Sequence, residues 1–291
     1  MTPIKTIDDL LDASEAEIEE AANSLRIKDR VIARMEKEGR QTGMTLDAYN
    51  ERLREIQDTE LECPKCHGSG VIRPPKPRSV GCIHPSSSYG CVLRLYHDVV
   101  GILEPRNFVP AKLQITFAIG HALHDHIQGV LMRSLGPGRF QAEVPIKMGL
   151  VSGHADGDIS LETADATLEI KSDGPSSFDS RTAPNDEHVI QAGALYSTAL
   201  NNPFTVFLYV EKMWPHRIKE YVVPYDRKLF RRWVKKKARP IRDALASGKE
   251  PIADSTAAEC NRCPYGYEGG CTQNIGKNAH RVKQSMRSRK R

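Results

Sequence analysis

Residues 153–174, GHADGDISLETADATLEIKSDG, constrain the fold more than any other stretch of the chain. Apolar and polar residues alternate on both sides of a turn at 163–165, the pattern of two strands joined as a hairpin. In an extended strand residues i and i+2 share a face. Glu169 and Lys171 therefore project together, while Leu168 and Ile170 enter a core. Closing the hairpin brings Asp156 beside Glu169. Two neighbouring carboxylates repel unless a cation lies between them, and Mg²⁺ or Mn²⁺ suits such oxygen ligands. A lysine alongside can orient or deprotonate a water, the nucleophile that phosphodiester hydrolysis requires.

The elements around this hairpin predict a mixed α/β (α+β) body. A helix over 115–131 carries an apolar stripe of Ile115, Ala118, Ile119, Ala122, Leu123, Ile127 and Val130, with His124 off the stripe. Strands follow at 140–146, 150–161 and 166–172, then a helix over 187–200, strands at 204–211 and 217–223, and a basic helix over 226–247. Towards the N-terminus, apolar residues at helix spacing predict amphipathic helices through residue 60, with Ser14 interrupting the first stripe and a new start at Thr45. No run of about 18 apolar residues occurs, so a transmembrane helix is not expected. The N-terminus lacks a basic-then-apolar leader.

Charge is unevenly spread. The net of +5 conceals residues 1–62, with 16 acidic and 9 basic side chains, and a strongly basic remainder. DRKLFRRWVKKKARP (226–240) has Phe230, Trp233 and Val234 at helix spacing to anchor it, leaving Arg231, Arg232, Lys235, Lys236 and Lys237 as a phosphate-contacting surface. A tail over 276–291 adds further basic residues and almost no core formers. Nothing reads as a base-specific recognition helix, so sequence-nonspecific binding to DNA ends or single strands is expected.

In the order Gly120 and His124, Gly153 and Asp156, Glu169 and Lys171, and Gln191, the chain resembles the PD-(D/E)XK nuclease superfamily, most closely its RecB-like exonuclease branch with CRISPR-associated and phage-encoded members. The resemblance spans about two thirds of the chain. It implies a restriction-endonuclease-like core, a central mixed sheet flanked by helices. It also implies metal ligation by His124, Asp156, Glu169 and the Ile170 carbonyl, with Lys171 activating or positioning the water and Gln191 orienting Lys171 or the DNA. Asp158, on the same strand face as Asp156, is the rival ligand, and His121 and His126 compete with His124. The family places a tyrosine four residues after the glutamine. Tyr196 is five after Gln191, which on an α-helix sets it about 100° off that face.

Seven cysteines without an export signal suggest metal ligation rather than disulfides. By the same resemblance, Cys91 opens the nuclease domain and Cys260, Cys263 and Cys271 close it, together holding a 4Fe-4S cluster; structural zinc at the same four ligands is the alternative. The cluster would clip the ends of a loop of about 170 residues. CPKCHGSG and Cys82-Ile-His84 form a candidate Cys₃His zinc set of Cys63, Cys66, Cys82 and His84, with His67 a rival ligand.

The expected organisation is an acidic helical segment (1–60) able to dock a protein partner, a Cys-rich module (61–86), the nuclease domain (87–275) and the basic tail (276–291). The expected function is metal-dependent DNA exonuclease action in DNA processing, recombination, repair or phage replication, in a bacterial or host cytoplasm. A non-catalytic DNA-binding or adaptor protein of the same fold, an endonuclease, and RNA as substrate remain alternatives.

Overall fold

The computed structural model describes residues 3–42, 80–102, 111–213 and 217–263, with 265, 271 and 273. The expected helix from Thr45, Cys63, Cys66, His67 and the basic tail lie outside the described residues.

Five strands form one mixed sheet in sequence order: β1 (Phe140–Met148), β2 (Val151–Ser160), β3 (Asp165–Asp173), β4 (Phe204–Glu211) and β5 (Ile218–Pro224). All pairings are antiparallel except β3 with β4. A parallel neighbour needs a crossover, and residues 174–203 supply it through a short helix, Pro175–Ser180, and a longer one over 186–200. β4 is buried along its whole length, because both sheet faces are covered.

Period-two alternation sorts its side chains. Val206, Leu208 and Val210 join one core with Leu168, Ile170, Ile127 and Leu131, whereas Phe207 and Tyr209 join another with Ala192, Leu195, Trp233 and Ile241. The first face is covered by the helix Ala111–Leu135, the second by the helix over 186–200 and the basic helical segment over 227–247. Expected and observed strand and helix bounds agree to within a few residues. The stripe of the long helix agrees in part: Ala118, Ile119 and Ala122 are exposed, whereas Leu123, Ile127 and Val130 are buried. Those three exposed side chains point away from the sheet, which the helix meets there through Gly120.

The N-terminal helices, acidic Ile7–Asp12 and Glu15–Leu25 and the net basic Ile27–Thr42, lie on the first face. The helical pattern does break at Ser14, which caps the second helix, its hydroxyl and Glu17 forming a capping box. Ile4 bridges Ala164 beyond the β2–β3 turn, and Leu10, Ala21, Leu25, Ile27 and Val31 enter the same core as β3 and β4. Glu220 on β5 accepts the Ile27 and Lys28 amides at 2.9 and 3.0 Å, capping the third helix from the sheet. Among the described residues of the segment expected to dock a protein partner, the apolar stripe through Met35 is thus occupied by the chain's own sheet. No helix among the described residues is long and apolar enough to cross a membrane.

Candidate active site and cysteine cavity

The site opens where β2 and β3 part. Their ladder runs from Ser160–Asp165 to Gly157–Leu168 and ends there. The next residue, Asp156, turns its carboxylate into the gap, where Oδ2 accepts the Ile170 amide at 2.6 Å. Amide and carbonyl of one residue in a strand point the same way, so the Ile170 carbonyl faces this gap too. Glu169, fully buried, carries Oε2 without a hydrogen-bond partner among the described residues, and Lys171 Nζ pairs with its Oε1. From the long helix, His124 Nδ1 lies 3.6 Å from Asp156 Oδ1. The two motif glycines permit this approach. A Cβ on Gly120 would sit 3.3 Å from Ser172 Oγ beside Lys171, and one on Gly153 would meet Pro85 at 2.9 Å.

Burial and charge act in opposition here. Burial drives the Glu169 carboxyl up to about 7 despite Lys171. Burial also disfavours the charged forms of Asp156, His124 and Lys171, but the surrounding opposite charges outweigh it. Asp156 is held below its usual range by His124, Lys171 and the Ile170 amide; His124 is raised by Asp156; Lys171 is raised by Glu169 and Asp156. The site therefore keeps a cationic lysine against a carboxylate that cannot easily ionise alone. A buried carboxylate with an unused oxygen, a second carboxylate, a carbonyl and an imidazole form a donor set that fits Mg²⁺ or Mn²⁺. Among the described residues no three His, Cys, Asp or Glu side chains are drawn to single-ion spacing, and the Lys171 ammonium supplies the positive charge beside Glu169.

Glu169 yields a pH prediction. In the folded, metal-free chain it holds a proton that the unfolded chain releases at about its ordinary 4.5. Its contribution to stability is full below that value and is lost as pH rises through about 7. A divalent cation bound there would displace that proton and the one on His124, so Mn²⁺ binding is expected to release more protons at about pH 6 than at about pH 8. Calorimetry in buffers of different ionisation enthalpy measures this; equal release at both pH values would contradict it.

The helix over 186–200 corrects one expectation. Its middle, Val189–Tyr196, is π-wound, with hydrogen bonds from i to i+5 that bring residues five apart to one face. Gln191 Nε2 accordingly donates to Tyr196 Oη at 3.1 Å, both side chains buried. Burial, then the Glu169 charge, holds the Tyr196 hydroxyl far above its ordinary range, which places it within the field of the site. The bond Gln191 makes is to Tyr196 rather than to Lys171.

Asp158 is engaged elsewhere: Asn202 Nδ2 donates to it at 2.8 Å. His121 and His126 are exposed, whereas His124 is half-buried against Asp156.

Two residues near the site were not singled out from the sequence. Tyr209 stands opposite Lys171 in the β3–β4 register, its hydroxyl accepting the Asn185 amide at 3.3 Å and lying 2.7 Å from His188 Nδ1. Burial, with Lys171 and Arg181 nearby, pushes the His188 pKa down to about 4, so the ring is neutral. No spacing rule links these residues, because they meet only when the crossover helix lies on the sheet.

On the second face Cys91, Cys260, Cys263 and Cys271 line one cavity of ≈ 290 Å³, with Tyr265 and Glu187 in its wall. Burial, and then the neighbouring thiols, raise the Cys271 pKa. The frame is hydrogen-bonded on both sides. Asp254 accepts the Val92 amide at 2.8 Å and pairs with Lys237, whose ammonium also donates to the Gly90 carbonyl, both at 2.7 Å. Tyr265 Oη lies 2.9 Å from both Asp98 Oδ1 and the Ile102 carbonyl, which share its one proton. A Thr256–Glu259 capping box starts the helix carrying Cys260, Ala257–Arg262. Four thiols around one cavity fit a cluster that takes four thiolates.

In the basic segment Arg231, Arg232, Lys235 and Lys236 are exposed, while Trp233 is buried and its indole donates to the Ser88 carbonyl at 2.8 Å. Lys237 differs from its neighbours, since its ammonium is engaged at the cysteine frame. Of the candidate zinc set, Cys82 Sγ and His84 Nε2 lie 3.8 Å apart, flanking a buried Ile83.

Structural comparison finds likenesses of low identity. The solved structure of SSO0001 shares 18% identity, covering 69% of this chain and 90% of that one, with a TM-score of 0.42. The alkaline exonuclease LHK-Exo from Laribacter hongkongensis shares 13% identity over 57% of this chain and 87% of its own, at a TM-score of 0.42. Its complex with dAMP gives 14%, 57%, 87% and 0.43. No family model and no curated protein matches the chain.

Proposed function

We propose that the chain is a metal-dependent DNA nuclease of the PD-(D/E)XK type, an exonuclease of the RecB-like branch with a 4Fe-4S cluster. The observation that carries this reading is the juxtaposition of His124, Asp156, a fully buried Glu169 and Lys171 at a point where the sheet splays. His124, Asp156, Glu169 and the Ile170 carbonyl would hold Mg²⁺ or Mn²⁺, which when bound supplies a Lewis acid and an activated water. Lys171, kept protonated by Glu169 and Asp156, serves better to stabilise charge on the attacked phosphate than to accept a proton. Tyr196 and Gln191 pack behind the carboxylates, and neutral His188 offers a hydrogen bond without adding charge. Exposed Arg231, Arg232, Lys235 and Lys236 would contact phosphates.

Cys91, Cys260, Cys263 and Cys271 would carry the cluster, which spreads its thiolates round a cavity, whereas a single zinc gathers sulfur ligands to about 2.3 Å. Cys82 and His84, with Cys63 and Cys66, would bind zinc. The deciding experiment incubates anaerobically purified protein with single- and double-stranded DNA, with Mg²⁺, Mn²⁺ or chelator. Progressive shortening of ends that requires the metal is expected. Absence of any cleavage would return the chain to the class of binding proteins, and a discrete fragment ladder would make it an endonuclease.

A further inference from the structure

Three non-glycine residues among those described have left-handed backbone: Arg26, Asn201 and Glu143. Arg26 and Asn201 end helices, where that conformation is ordinary. Glu143, at φ 51°, lies in the middle of β1, where a residue with a Cβ adopts it only if the surroundings enforce it. Its place in the sheet is informative. The pairs on either side, Ala142–Gly157 and Val144–Ala155, are in register, and the ladder skips Glu143 and Asp156 between them. Arg139 accepts the Ser160 amide, and every second pair from there exchanges ladder bonds; Glu143–Asp156 falls on such a position. The left-handed turn takes the Glu143 amide out of line with the Asp156 carbonyl.

Gln128 replaces it. Its carboxamide nitrogen has two protons, one donated to the Asp156 carbonyl and one to Glu143 Oε1, both at 2.8 Å. Gln128 is almost fully buried and stands one helical turn after His124. The helix that presents His124 to the Asp156 carboxylate thus also holds the Asp156 main chain.

We propose that Gln128 and Glu143 form a brace that positions Asp156. They act through Asp156 rather than by touching the cation or the DNA, and Glu143 serves as a hydrogen-bond acceptor that fixes the Gln128 amide. The cleavage part of the proposal rests on the nuclease reading; the brace does not.

Two measurements on Glu143→Ala, Glu143→Gln and Gln128→Leu test it. In metal-free protein, exchange of the Ile170 amide, which donates to Asp156, is expected to quicken roughly tenfold in Glu143→Ala and Gln128→Leu. In cleavage assays the Mn²⁺ concentration for half activity is expected to rise about 10-fold in the same two variants, with the rate at saturating Mn²⁺ changing less. Glu143→Gln keeps an acceptor oxygen and should behave as the parent in both. Unchanged Ile170 exchange in Glu143→Ala overturns the brace, and so does a Glu143→Gln variant as impaired as Glu143→Ala, since the charge itself would then be needed. Glu143 is exposed, so its variants decide the matter even if Gln128→Leu fails to fold. If the parent cleaves nothing, the nuclease reading falls and the exchange measurement still judges the brace.

Discussion

Replacing Lys171 with alanine is expected to lower DNA cleavage by at least about 10²–10³-fold, the loss typical when a donor to developing charge is removed. The protein should still fold. Without its partner the buried Glu169 carboxylate would be costly if ionised, roughly 3–5 kcal/mol for a broken buried pair. Its carboxyl already ionises only near 7, so Glu169 takes up a proton and limits that cost. Circular dichroism and DNA binding in chelator should therefore match the parent while turnover collapses. Cleavage at the parent rate would remove Lys171, and with it the proposed chemistry.

Replacing Cys260 with serine is expected to reduce iron from about four per chain to nearly none and to bleach the protein. It should also lower thermal stability, because a cluster on the four cysteines of that cavity would join residues near 91 to residues near 260–271. Releasing a closure of that length costs about 5 kcal/mol on the chain-entropy account, a fall in Tm of roughly 8 °C for a chain of this size. Metal analysis with anaerobic thermal melts checks both effects. Zinc without iron in the parent would overturn the cluster, and a variant melting with the parent would show that the cysteine frame bears no mechanical load.

The hairpin was legible because its signal is local. Period-two alternation fixes which residues share a face, and a short turn brings the strand of Asp156 beside that of Glu169; the register itself was not legible, because the chain turns over Leu161–Ala164 rather than over 163–165. The order of motifs along the chain likewise indicated where His124 and the four cysteines would gather. Other features depend on hydrogen bonds or contacts that spacing does not encode. Tyr196 moves to the Gln191 face only because one stretch is π-wound, a choice set by packing on the sheet. The exposed Ala118, Ile119 and Ala122 show the converse, since their apolar spacing falls on the side of the helix away from the sheet, where Gly120 makes the approach. Ser14 and Glu17 did carry a readable capping box. Glu143 carried none, for strain of this kind is invisible until the strand opposite it is in place.

The sheet separates charge as well as cores. Helices with seven carboxylates and no basic side chain, Ile7–Asp12 and Glu15–Leu25, cover one face, and the arginine- and lysine-rich segment over 227–247 covers the other. The helix Ile27–Thr42, with five basic and three acidic side chains, tempers the first face, but among the described residues charge still differs across the sheet. A polyanion arriving from any direction experiences a torque before it makes contact, repelled on one side and drawn to the other. It is turned in advance, so that fewer encounters end in the wrong pose. That guidance acts over about a Debye length, roughly 8–10 Å near physiological salt. Added salt should therefore slow arrival sooner than it alters chemistry at the buried carboxylates.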